Sequence, residues 1–287
     1  IYNYLKQHIY ENESIENNIF DFGFWPGGDR DGNPFVTTEI TINTARKLRS
    51  DIIKNYYRDV RNLRRRLTFK NVEDIIIDLE TRLYQSISDH SLEPKITLNE
   101  LKNKLYRIKE VLISEHNSLF LDKLDDVINK VNIFGYHFAT LDIRQDSRIH
   151  NEVFEAILKN AQENKIINKP KSYDQFSIDN KIKFLSTISG DLDPELFKNE
   201  LVKSTLSSIR AMKLIQRSNG EKGCNRYIIS NNQTALNIIE VFAMFRLSNW
   251  INPSVDIVPL FETISDLKVA SKVMESVYLN KKYRNHL

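Results

Sequence analysis

The chain has little of what a secreted or membrane-bound protein relies on. Of its 287 residues only Cys224 is a cysteine, so no intrachain disulfide can form and a reducing compartment is expected. No apolar run approaches the roughly 18–20 residues that a membrane span requires. Glycine and proline number 8 and 7, and no low-complexity linker or internal repeat is present. Neither charge dominates: 41 basic and 38 acidic residues leave a net +3, too balanced to argue for nucleic acid by itself. None of the 6 histidines has a metal-ligand spacing such as H-E-x-x-H, and no Ser-His-Asp or Cys-His arrangement can be read. The first residue is Ile and the start, Ile1–Asn12, is polar without a signal-peptide core. We therefore expect a cytoplasmic piece of a longer protein. At 41% hydrophobic and 28% charged, the chain has enough apolar content for a sizeable core, and we read 1–287 as a single domain.

Helical periodicity dominates. In Thr37–Leu67 the apolar positions Ile42, Ala45, Leu48, Ile52, Ile53, Tyr56, Val60 and Leu63 recur every three or four residues. Further helices are expected over Val72–Ser88, Leu98–Ser114, Phe120–Phe134, Asp146–Asn164, Asp193–Arg217, Thr234–Arg246 and Ile264–Leu279. Thr97 and Glu100 form a capping box for the third, and Asp193–Pro194 reads as a cap with proline at the first helical position. Lys165–Ser189 is polar and reads as a surface excursion with short helices. Four short segments break the pattern: Phe20–Trp25, Ala139–Arg144, Arg226–Ser230 and Val255–Phe261. Each is rich in β-branched or aromatic residues and leads through turn chemistry into a helix, the pattern of parallel β/α units.

The scarce glycines are concentrated. Three of the 8 fall in Trp25–Pro34, W-P-G-G-D-R-D-G-N-P, beside Asp29, Arg30, Asp31 and Asn33. A glycine-rich turn with fixed charges suits an anion site or a braced active-site loop. All four extended segments run into polar chemistry: the first into Asp29–Asp31, the second into Asp142, Arg144, Gln145 and Asp146, the third into Ser230, Asn231 and Asn232, the fourth into Glu262. In β/α barrels the site lies at the carboxyl ends of the strands. Structural roles compete with these readings. The charged loop could be a salt-bridged turn, Arg144 a strand-end ion pair, Glu262 a carboxylate favoured near a helix N-terminus, and Trp25 a packed aromatic. An EF-hand fails, because Pro34 replaces the needed glycine and Ile40 the bidentate Glu. Arg61–Arg66, with four arginines, reads as a solvated helix face paired with Asp51, Asp59 or Glu73. His137 and His150 read as structural. The rival in a different class is a helical nucleic-acid-binding or interaction module using Arg61–Arg66, which leaves the Gly27–Asn33 loop and Glu262 without a role.

Phe22–Thr37 (F-G-F-W-P-G-G-D-R-D-G-N-P-F-V-T) resembles a signature of the phosphoenolpyruvate carboxylase family. So do Gly135–His150 (G-Y-H-F-A-T-L-D-I-R-Q-D-S-R-I-H) and Val258–Leu267 (V-P-L-F-E-T-I-S-D-L), with R-Y-I-I-S at Arg226–Ser230 between them in the expected order. Pro26 and Phe35 depart from the usual pattern without removing a charge. The match is to the middle of the family. The His-Pro-Thr segment with the catalytic histidine, the Gly-Tyr-Ser-Asp segment with a second metal-binding carboxylate, and the Gly-Arg-Gly-Gly loop are not in this sequence.

The resemblance implies a mainly α fold with β/α-barrel strands, a partial TIM-type barrel with many inserted helices. It implies conversion of phosphoenolpyruvate and bicarbonate to oxaloacetate and phosphate with Mg²⁺ or Mn²⁺, through carboxyphosphate and pyruvate enolate. Substrates and intermediates are anions, so positive charge must be gathered at fixed positions. By resemblance, Arg144 and Arg30 are the catalytic candidates. Trp25, Gly28, Asp29, Asp31 and Asn33 shape the substrate side, and Glu262 is a metal ligand. Asp29 and Asp31 are expected to orient Arg30. The family is typically a dimer of dimers, which implies a homotetramer for the full-length protein. No nucleic-acid or membrane partner is expected. The fragment alone is expected to be inactive, with open strand edges at the first and fourth strands that favour pairing with another chain.

Overall fold

The computed structural model describes residues 20–87, 94–163 and 167–287, with Leu5, His8 and Ile9 near the start. Most of the polar segment Ile1–Asn12, and the expected helix ends at Ser88 and Asn164, lie outside the described residues.

The elements in chain order are β1 (Gly23–Phe24), α1 (Thr38–Arg64), α2 (Glu73–Ile87), α3 (Leu98–Glu115), α4 (Leu121–Phe134), β2 (Thr140–Leu141), β3 (Ile143–Asp146), α5 (Ser147–Glu163), α6 (Ile178–Leu185), α7 (Glu200–Asn219), β4 (Arg226–Ser230), α8 (Ala235–Leu247), β5 (Asp256–Pro259), α9 (Ile264–Leu279) and α10 (Lys281–Arg284). Most of the predicted helices form close to their expected bounds. The capping box at Thr97 and Glu100 is present, with Glu100 accepting from the Thr97 N–H at 2.8 Å. The helix expected from Asp193 begins later. Asp193 caps only a 3₁₀ turn, Pro194–Leu196, and Asn199 caps α7 itself. The segment expected as a surface excursion is partly core, since Ile167, Tyr173, Ile182, Leu185 and Ile188 are all buried. Its polar residues mask an apolar stripe spread over short elements, which a helix-length window averages away.

Two hydrophobic cores share one helix. In α1 the buried positions Ala45, Leu48, Ile52, Ile53, Tyr56, Val60 and Leu63 form one face over about 27 Å of helix. Ala45 belongs to the core around the strands, whereas Ile52 onward belongs to a bundle of α1–α4. Tyr56 closes the bundle by donating to the Gly135 carbonyl at 2.6 Å.

The strands are short and all parallel. β1 pairs with β2 (Gly23 opposite Thr140), β3 with β4 (Arg144 opposite Ile228) and β4 with β5 (Ile228 opposite Val258). β2 and β3 are one segment interrupted at Asp142, and a parallel bridge between Asp29 and Arg144 continues the pairing beyond the interruption. The lateral order therefore follows the chain order, with helices as crossovers. The result is a mostly helical fold with small parallel sheets and no closed barrel among the described residues. Helix α8 is buried nearly all round, as expected for a helix between strands and an outer helical layer.

Candidate active site

Period-two alternation sends Tyr227 and Ile229 into the core and leaves Arg226 and Ile228 on the other face of β4. Arg144 lies opposite Ile228, so its side chain shares that inner face and extends toward the carboxyl ends of the strands. There it meets three carboxylates: Asp31 at 2.8 Å, Glu262 at 3.3 Å and Asp29 at 3.8 Å. The indole of Trp25 lies against it, 5.5 Å from ring centroid to the guanidinium carbon. Arg144 is one-fifth exposed, so the cluster is recessed but open to solvent.

The glycine-rich loop is fixed by its backbone. Gly28 is buried, and its carbonyl accepts from the Arg144 N–H at 3.1 Å, while the Arg30 N–H donates to the Arg144 carbonyl at 2.9 Å. A side chain at Gly28 would run into the Asp142 carbonyl oxygen, so only glycine permits this approach. Thr41 on α1 donates to the Gly27 carbonyl at 2.7 Å. Within the loop, Asp29 accepts from the Asp31 N–H at 3.1 Å, which turns both carboxylates the same way. Glu262 immediately precedes Thr263, the N-cap of α9, whose capping box with Asp266 sets where the helix starts.

The structure thus brings Trp25, Asp29, Asp31, Arg144 and Glu262 together. Three expected site residues sit otherwise. Arg30 turns away to α7, donating to the Ser204 carbonyl at 3.1 Å and the Ser204 hydroxyl at 2.9 Å. Asp29 and Asp31 therefore orient Arg144, and the expectation that they orient Arg30 is corrected. The reason is register: the Asp29–Arg144 bridge places alternate loop residues on opposite faces, so Arg30 faces the helices. Burial lowers the affinity of Arg30 for its proton. Asn33 is exposed and caps its own turn, accepting from the Phe35 N–H at 3.1 Å. Gly28 serves the backbone approach.

One pair escaped the sequence reading. Asp142, buried, forms an ion pair with Arg226 at 2.9 Å, beside Trp25. Desolvation pushes its carboxyl above the usual range, and Arg226 opposes the shift. The available signal was Arg226, two residues before inward-facing Ile228. The other candidates behave as structural groups. Arg61 and Arg64 pair with Glu80 at 3.9 and 2.6 Å, not with Asp51, Asp59 or Glu73. His150 is fully buried against the Tyr227 hydroxyl at 2.9 Å.

A guanidinium among three carboxylates carries local net charge −2, which suits a hard cation with oxygen ligands. Glu262 is the more open of these carboxylates, at 38% side-chain exposure, and fits as one such ligand. Among the described residues no three His, Cys, Asp or Glu side chains gather closely enough to hold a metal by themselves.

A family model described as phosphoenolpyruvate carboxylase matches residues 1–95 and 80–287. The chain belongs to the phosphoenolpyruvate carboxylase family. It is 25% identical to a phosphoenolpyruvate carboxylase of Parasynechococcus marenigrum, covering 99% of this chain and 34% of that protein. It is 28% identical to one of Prochlorococcus marinus strain MIT 9312, over 93% of this chain and 33% of the relative, and 26% identical to one of Trichormus variabilis, over 92% and 30%. The chain therefore spans about a third of the length of these carboxylases. No helix among the described residues is long and apolar enough to cross a membrane.

Proposed function

We propose that this stretch supplies one side of a phosphoenolpyruvate carboxylase active site. The full-length protein would join phosphoenolpyruvate and bicarbonate to give oxaloacetate and inorganic phosphate. Bicarbonate oxygen attacks phosphorus, giving carboxyphosphate and enolate. Carboxyphosphate releases CO₂ and phosphate, and the enolate carbon takes up the CO₂. The observation that carries the reading is the convergence of Trp25, Asp29, Asp31, Arg144 and Glu262 at the carboxyl ends of parallel strands.

The residues divide the work by charge. Arg144 is the anion-binding group, positioned by Asp29 and Asp31 and backed by the Trp25 ring. Glu262 also contacts it at 3.3 Å. Glu262 would hold Mg²⁺ or Mn²⁺, and when bound the cation supplies Lewis-acid stabilisation of the enolate oxygen. Glu262 engaged in that way leaves Arg144 free to face an anionic substrate. Arg30 braces the loop against α7. The parallel order of β1 to β5 supports a partial TIM-type barrel whose remaining strands lie outside this stretch. With the histidine segment and the second metal carboxylate of the family not in this sequence, the stretch alone is inactive. A homotetramer is proposed for the full-length protein. Glu80 meets two of the four arginines of the patch, Arg61 and Arg64, which favours reading the patch as an ordinary helix face.

The test is oxaloacetate formation by the full-length protein, coupled to NADH oxidation, with phosphoenolpyruvate, bicarbonate and Mg²⁺. Metal-dependent turnover is expected. Its absence in well-folded protein contradicts the proposal, as does turnover by residues 1–287 alone.

A further inference from the structure

A second concave surface lies on the outer, helical side of the strands, with α5, α6 and α8 around it. It is a cleft of about 540 Å³, and Glu240 lines it. Glu240 is 7% exposed, and its Oε2 has no hydrogen-bond partner. A buried carboxyl without a partner is costly unless it is neutral or meets a ligand. The charged groups facing it come from each packed element: Glu155 and Lys159 on α5, Lys169 and Asp174 beside Tyr173, and Lys181 on α6.

The cleft gathers the first turns of three helices. Ser147 opens α5, Ile178 opens α6, and Thr234 caps α8, and all three line it. Helix N-termini carry partial positive charge and bind anions. Arg148 and Lys169 are neutralised locally, by Asp146 at 2.6 Å and Asp174 at 3.0 Å. Lys159 and Lys181 have no ion pair among the described residues, and the Lys181 ammonium rests on the Tyr173 ring at 5.4 Å. We propose that this cleft binds a compact dianion of the phosphate type, held by Lys181 in the first turn of α6 with Glu240 donating from below.

Burial, with Glu155 nearby, pushes the Glu240 carboxyl up to about 8, against the pull of Lys181. The neutral acid can donate its O–H to an anion, whereas the ionised form repels one. The cleft also touches the reacting end of the strands. Ser147 follows β3 directly and donates to the Asn231 carbonyl at 2.6 Å, just beyond β4. A ligand there would adjoin the segment that carries Arg144. This inference does not depend on the proposed carboxylation.

The experiment is calorimetric titration of inorganic phosphate into residues 1–287 and into its variants, with circular dichroism confirming that each is folded. Saturable binding is expected at pH 7.5, and Lys181→Ala should raise Kd by about tenfold or more. Between pH 7.5 and 9 the wild type should lose affinity, while Glu240→Gln, neutral throughout, should keep it. Absence of saturable phosphate binding overturns the proposal. So does a Kd unchanged in folded Lys181→Ala, which would put the phosphate elsewhere. An equal loss of affinity with pH in Glu240→Gln removes Glu240 from the site.

Discussion

Arg144 and Glu262, 118 residues apart in the chain, meet at 3.3 Å. One leaves a strand in the middle of the parallel array, and the other sits at the start of the helix after its last strand. Their contact is a consequence of parallel strands in chain order, which point all their carboxyl ends to one side.

The loop that orients Arg144 depends on one position without a side chain. Gly28→Ala places a methyl group against the Asp142 carbonyl and should cost about 2–4 kcal/mol, through loss of the Gly28–Arg144 pairing. Gly32→Ala is the control. Its φ of +65° is strained for alanine, but nothing lies within 4 Å, so a cost of about 1 kcal/mol is expected. Urea denaturation of both variants checks the order, and equal costs would contradict the close-approach argument.

Arg30 gives a second prediction. As a tether to Ser204, its removal in Arg30→Ala should destabilise by about 1–3 kcal/mol, and Ser204→Ala by about 1 kcal/mol or less, because the Ser204 carbonyl contact survives. Limited proteolysis should then cut near the glycine-rich loop sooner than in the wild type. Unchanged stability and unchanged cutting would contradict the tether.

Much of this was legible in the sequence, and its limits have physical causes. Helices with long apolar stripes, such as α1, and those with explicit caps, such as α3, can be read locally. The 3₁₀ turn at Pro194 cannot, because a proline at a first helical position does not specify how far the helix continues. The buried stripe through Ile167–Ile188 was hidden by intervening polar residues. The sequence singles out Trp25, Asp29, Asp31, Arg144 and Glu262, which the fold brings together, but not the partner of each. Arg30 and Arg144 are equivalent as residue types, and strand register decides which one faces the inner side.

Acid should weaken the fold. Burial holds His150 down to about 3 and His137 down to about 4, from 6.5. Below 6.5 the unfolded chain binds protons that the folded chain refuses, so stability falls as pH drops from 6.5 toward these values. Each histidine contributes a slope of about 1.4 kcal/mol per pH unit in that window. Glu240 acts in the opposite sense. Its folded value near 8 lies above the unfolded 4.5, so its contribution is lost as pH rises from 4.5 to 8. Urea midpoints from pH 4.5 to 6.5 should rise, and His150→Asn should flatten the rise. An unaltered slope in that variant would assign the acid sensitivity elsewhere.

The outer edges of β1 and β5 are unpaired among the described residues. Open edges recruit further strands, so residues 1–287 alone should self-associate at high concentration. Light scattering after size exclusion checks this, and a clean monomer across the concentration range would contradict it.

The most direct test of the central claim is a double-mutant cycle in the full-length protein, with Arg144→Gln, Glu262→Gln and both together, read as kcat for oxaloacetate formation at saturating metal. Each single change should lower kcat by about 10²-fold or more, and the double variant should fall well short of the product of the two. Near-wild-type turnover in Arg144→Gln would contradict the account.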